Sequence, residues 1–125
     1  MKEKRVDFET AKLAKEKSFL IPNYFQYWYS SEGKLKEIII SEPKLDWTQA
    51  PTQSMLQAWL RDEHKIRVFV KQGVSGNFNF EIYTLSEVPN QIGKWERIGN
   101  IVSSDTYELA LEKGLELGLN LIKTK

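Results

Sequence analysis

The sequence predicts an α+β fold in the order α, β, β, α, β, β, β, α, an antiparallel sheet with helices packed mainly on one face. Three observations lead to it. Residues 50–65, APTQSMLQAWLRDEHK, combine a helix start, a helical apolar stripe and a stop. Residues 66–72 and 77–85 carry apolar side chains at the strand period of two, and residues 94–102 read as a third strand with Trp95 and Arg97 alternating against Glu96 and Ile98. Residues 105–122 form a long, capped apolar helix. A chain of 125 residues is long enough for one ordinary core and short for two, so a single domain over 1–125 is expected. Within it, residues 1–41 hold a helix and a β-hairpin, and residues 50–123 an α-β-β-β-α unit.

In the first helix Asp7 is the expected cap, with Phe8, Ala11, Leu13 and Ala14 along its apolar side to about Lys17. Its lysines 12, 15 and 17 are mixed with Glu9 and Glu16, the pattern of a solvated face. NYFQYWYS, EGK and LKEIIIS read as two strands around a tight turn, where Gly33 supplies the positive φ. The first strand carries Tyr24 and Trp28 on one face and Tyr27 and Tyr29 on the other, so both faces are aromatic. Residues 41–49, with Pro43 and no period, read as a loop or an irregular edge segment pinned by Trp47.

Pro51 fits the first turn of the central helix, and Met55, Leu56, Trp59 and Leu60 line one face of it. His64 at its end is placed to cap carbonyls and complement the helix dipole. Ile66, Val68 and Val70 then alternate with Arg67, Phe69 and Lys71, and Phe78, Phe80, Ile82 and Thr84 with Asn79, Glu81 and Tyr83. GVSG between them reads as a hairpin turn. In the last helix Asp105 and Glu108 have capping-box spacing. Gly114 and Gly118, one turn apart, mark a close approach to the sheet or another helix, because Glu112, Lys113, Glu116 and Asn120 make a membrane-dimer motif untenable.

Composition narrows function. With no Cys, thiol catalysis, disulfides and thiolate metal sites are excluded. The single histidine, His64, leaves little for acid–base or metal chemistry, and Ser54, Ser75, Ser103 and Ser104 lie in no nucleophile elbow. Glu81, flanked by Phe80 and Ile82, is explained by an outward strand position, and Asp62 and Glu63 point to different sides of their helix. No enzyme, cofactor or metal is expected. A net charge of +1 creates no global field for a polyanion or a membrane, and the charged first residues offer no signal or spanning segment, so a cytoplasmic protein is expected.

From Pro51 to Ile122 the order helix, three strands, helix, opening with PTQSMLQAWL, resembles the double-stranded-RNA-binding domain. The resemblance implies that Thr52, Gln53 and Gln57 face a minor groove, and an RNA-binding reading adds Arg61, Arg67 and Lys71. The chain departs from that family where Val74, Ser75, Gly76 and Asn77 replace a turn with Pro and His. It departs again where Asp105, Thr106, Tyr107 and Glu108 stand in place of phosphate-binding lysines. Carboxylates there repel phosphate, the main source of duplex affinity.

Separately, DFETAKLAKEKSF, APTQSMLQAWLRDEH and DTYELALEKGLELGLNLI look like a group of short phage and mobile-element proteins of anaerobic gut bacteria. That resemblance implies no activity. It leads to a Gly at 18 ending the first helix, where this chain has Ser. The resulting expectation is a non-enzymatic interaction or accessory protein of a mobile element, binding a protein or self-associating through Tyr24, Tyr27, Trp28 and Tyr29. The alternative is a degenerate duplex-RNA binder using Thr52, Gln53, Gln57, Arg61, Arg67 and Lys71.

Overall fold

A computed structural model describes residues 4–20, 27–38, 46–73, 76–85, 95–98 and 104–122. Tyr24, Ser75 and Ser103 lie outside them. The elements are α1 (Phe8–Glu16), β1 (Tyr27–Tyr29), β2 (Leu35–Glu37), β3 (Thr48–Gln49), α2 (Gln53–His64), β4 (Ile66–Gln72), β5 (Phe78–Leu85), β6 (Trp95–Ile98) and α3 (Tyr107–Asn120). The class is α+β with antiparallel strands, as the periodicities predict. The strands form two ladders, β2-β1-β3 and β4-β5-β6.

The first ladder contains a short edge strand that the sequence placed no more closely than a loop or irregular edge segment. Thr48 and Gln49 pair with Tyr29 and Trp28. Two residues are too few to show a period, and their pairing depends on a partner strand some twenty residues earlier. The β1–β2 hairpin has its expected turn: Gly33 sits at φ 84°, and its amide donates to Ser30 O (2.9 Å). A Cβ there would also lie 2.8 Å from Phe8 Cδ2, so space as well as φ requires glycine.

α2 and α3 lie on one face of the second ladder, where Leu56, Leu60, Leu111, Leu115 and Leu119 bury Ile66, Val68, Phe80 and Ile82. The same core takes in Val6, Ala11, Ala14 and Phe19, so α1 closes it from the side. The glycine pair on α3 permits this closeness. A Cβ on Gly114 would stand 2.6 Å from Val68 Cγ1, and one on Gly118 3.3 Å from Leu60 Cδ1.

The helix ends differ from expectation. Pro51 precedes the first turn of α2 and is buried, its carbonyl accepting from Val6 N (3.0 Å). Thr52 is the cap, with Oγ1 accepting from Met55 N (3.3 Å). At α3 the cap is Thr106 in place of Asp105, because the extended backbone at Thr106 turns its Oγ1 toward Leu109 N (3.1 Å). Asp7 occupies the cap position of α1 with no side-chain cap bond. His64 leaves the carbonyls alone and packs its ring on Trp59 (centroids 4.6 Å), while Lys65 at φ 56° donates to Leu60 O.

Ser18 ends α1 in the left-handed conformation, φ 69°, with no change of motif for want of glycine. Its amide donates to Lys15 O (3.0 Å) and that of Phe19 to Ala14 O (2.9 Å), the paired bonds of a Schellman end. Phe19 is buried against Trp59, ring centroids 5.0 Å apart. Burying this aromatic offsets the cost of a positive φ at serine.

Candidate functional site

Two groups of residues were candidates from sequence, and the fold treats them differently. In the aromatic hairpin, Tyr29 donates its hydroxyl to Val6 O (2.6 Å) and packs its ring on Phe8 (5.5 Å). Burial raises the Tyr29 pKa above its ordinary value, and the nearby carboxylates of Asp7 and Glu112 add to the effect. Tyr27 lies under the guanidinium of Arg5, 3.7 Å from ring centroid to Cζ. Arg5 is itself held by Ala50 O (2.7 Å). Trp28 lines a small crevice of about 50 Å³ with Phe19, Leu20 and Trp47. Each described aromatic of this strand is half-buried and has an intramolecular neighbour.

The second group splits. Thr52 caps α2, and Gln53 is buried, its amide donating to Glu108 O and Glu112 Oε1 (both 2.9 Å). The N-terminal segment lies over the start of the helix, since Lys4 O accepts from Gln53 N (2.9 Å) and Arg5 bridges to Thr52. Lys71 pairs with Glu81 (3.7 Å), which also accepts from the Tyr83 hydroxyl (2.8 Å).

Gln57, Arg61 and Arg67 come together instead. With Val68 and Phe69 they line a cleft of about 270 Å³ between α2 and β4. Helix spacing sets Gln57 and Arg61 one turn apart on one side of α2. Strand alternation turns Arg67, Phe69 and Lys71 to the ladder face opposite the helices. Arg61 is exposed and clasps Asp62 (3.0 Å), a contact that raises the arginine pKa and lowers that of the carboxyl. Phe69 is 44% exposed, and its ring meets that of Tyr83 with centroids 5.7 Å apart.

β4 is an edge strand, pairing with β5 alone among the described strands. Its hydrogen-bonding parity follows from two contacts. Gly73 N donates to Asn77 O (2.6 Å), so the inward-bonded positions run Gly73, Lys71, Phe69, Arg67. Gln57 Nε2 donates to Val68 O from the α2 side, so Val68, Val70 and Gln72 present their N–H and C=O groups to the edge that no described strand covers.

Sequence reasoning missed Glu112, 4% exposed on α3. Its carboxylate accepts from Asp7 N and from Gln53 Nε2, both at 2.9 Å, and so ties the starts of α1 and α2 to α3. By sequence it is one acid among several interrupting an apolar stripe; nothing local distinguishes it from Glu108 or Glu116. Among the described residues no group of three or more acidic or histidine side chains is placed to hold a metal ion, and no helix is long and apolar enough to cross a membrane. Comparison of the chain with protein-family models, curated proteins and solved structures gives no match.

Proposed function

We propose that this chain is a non-enzymatic protein-binding module, working in the cytoplasm as an accessory factor of the phage or mobile-element kind its wording resembles, and that the α2–β4 cleft is its contact surface. The observation that carries the reading is the half-exposed Phe69 beside an open strand edge and a cleft with two arginines. An aromatic surrounded by polar groups and next to unpaired backbone is the usual anchor of a protein contact.

The aromatic hairpin supports the reading less, because Tyr27 and Tyr29 are engaged with Arg5, Val6 and Phe8. The duplex-RNA alternative keeps Gln57, Arg61 and Arg67, but Thr52 and Gln53 are committed to the helix start and to Glu112. Asp105 and Glu108 stand exposed where that family sets lysines.

The test replaces Phe69 with a photo-cross-linking phenylalanine in the full chain and irradiates it in host lysate. The expected result is a discrete protein adduct that survives nuclease and weakens when Arg67→Glu is added. Cross-linking to nuclease-sensitive material overturns the reading in favour of nucleic acid, and an adduct pattern matching that of a probe at Glu63 overturns the cleft.

A further inference from the structure

Resting on the protein-binding reading and deepening it, we infer that β4 accepts an extended acidic segment of a partner protein as an added strand, with apolar residues between its carboxylates. Three independent features of the cleft meet in this inference. The first is backbone: Val70 and Gln72, together with the Val68 N–H, face the edge that no described strand covers, and the Val68 carbonyl there accepts from the Gln57 side chain, which an added strand would displace. Unsatisfied backbone along an edge is the template for strand addition.

The second is the spacing of side chains on the outward face. Arg67, Phe69 and Lys71 follow one another at the strand period, a cation on each side of an aromatic. Directly opposite residues on neighbouring strands lie about 5 Å apart. An added strand reading Glu, apolar, Glu at alternate positions therefore sets carboxylates against Arg67 and Lys71 and an apolar group on Phe69. On the other face, its intervening residues meet the cleft wall formed by Gln57 and Arg61.

The third is charge, which selects the occupant. Among the described residues the cleft and the outward face beside it carry three cations, Arg61, Arg67 and Lys71, against two carboxylates, Asp62 and Glu81. A second copy of this chain added edge to edge in antiparallel sense about Phe69 would bring Arg67 opposite Lys71, a like-charge pair that destabilises a sheet. In that register, the one that stacks the two Phe69 side chains, the cations oppose self-pairing and favour an acidic strand.

The test titrates the full-length protein, labelled with nitrogen-15, with a capped peptide Ser-Glu-Val-Leu-Val-Glu-Ser. Binding is read from the amide signals of Val68, Val70 and Gln72. We expect those amides to shift, affinity to drop at least tenfold in Arg67→Glu, and binding to vanish when the peptide's valine nitrogens are methylated. The far-UV spectrum of Arg67→Glu controls for its fold. Equal binding by the Lys-for-Glu peptide overturns the charge argument, and equal binding by the methylated peptide overturns strand addition. Absence of any shift at those amides overturns the inference as a whole. A short RNA duplex moving the same amides, with steep loss in salt, overturns it in favour of nucleic acid. Failure with the peptide alongside a protein adduct at position 69 removes strand addition alone; loss of both removes the protein-binding reading.

Discussion

Gly114→Ala adds one methyl group where α3 crosses the sheet. The added Cβ falls 2.6 Å from Val68 Cγ1 and 3.2 Å from Phe80 Cβ. Carbon atoms pack best at about 3.5–4.0 Å, so the contact with Val68 is short by roughly 1 Å and α3 or β4 must shift. Forcing a methyl into a packed core costs about 1–3 kcal/mol, and a clash with a methyl of a stiff β-branched side chain puts this site in the upper part of that range, about 2–3 kcal/mol. Replacing a mid-helix glycine by alanine returns about 1 kcal/mol of helix propensity, so the net expectation is a loss of about 1–2 kcal/mol. Gly118→Ala meets the movable end of Leu60, Cδ1, at 3.3 Å, and meets Ile66 Cγ2 and Val68 Cγ2 at 3.4 Å, ordinary contact distances, so propensity wins and the change is neutral or slightly stabilising.

Urea unfolding separates the two variants. With a slope of about 1–3 kcal/mol/M, the Gly114 variant loses on the order of 0.5–1 M in midpoint at unchanged slope. Adding Val68→Ala removes the obstructing methyl, so the double variant is more stable than the sum of single losses requires. A Gly114 variant as stable as the parent, or strict additivity with Val68→Ala, refutes this account of the crossing.

Other changes test the remaining contacts. Ser18→Gly relieves the left-handed strain at the end of α1 and is expected to raise unfolding stability by about 0.5–1 kcal/mol; a decrease in urea midpoint contradicts the strain. Glu112→Gln sets an amide N–H against Asp7 N or Gln53 Nε2, leaving a buried donor unpaired at a cost of about 1–3 kcal/mol, whereas Glu108→Gln on the exposed face leaves the midpoint unchanged. For Tyr29 the sign is set by its raised pKa: above pH 10 the unfolded chain loses this proton while the native state keeps it, so stability falls as pH rises. Tyr29→Phe removes that contribution. Urea midpoints between pH 8 and 11 are expected to decline less steeply in the variant, and parallel declines contradict the shift.

The sequence by itself determined those elements whose signal is periodic and local. The stripe of Leu56, Trp59 and Leu60, the alternation of Ile66 and Val68 with Arg67 and Phe69, and the turn at Gly33 each need only a few neighbouring residues to be expressed. Caps were legible to within a residue: Thr106 and Asp105 both carry a suitable oxygen, and backbone direction chose between them. Tertiary structure decided whatever depends on partners distant along the chain. β3 exists because β1 is beside it, and Glu112 is structural because Asp7 and Gln53 reach it across 105 and 59 residues. Gln57, Arg61 and Arg67 were visible as polar residues of a helix and a strand, but only the packing of α2 against β4 made them one cleft. Periodicity says which side of an element is buried, whereas a binding surface is defined by which elements meet, and that meeting is set by the core they share.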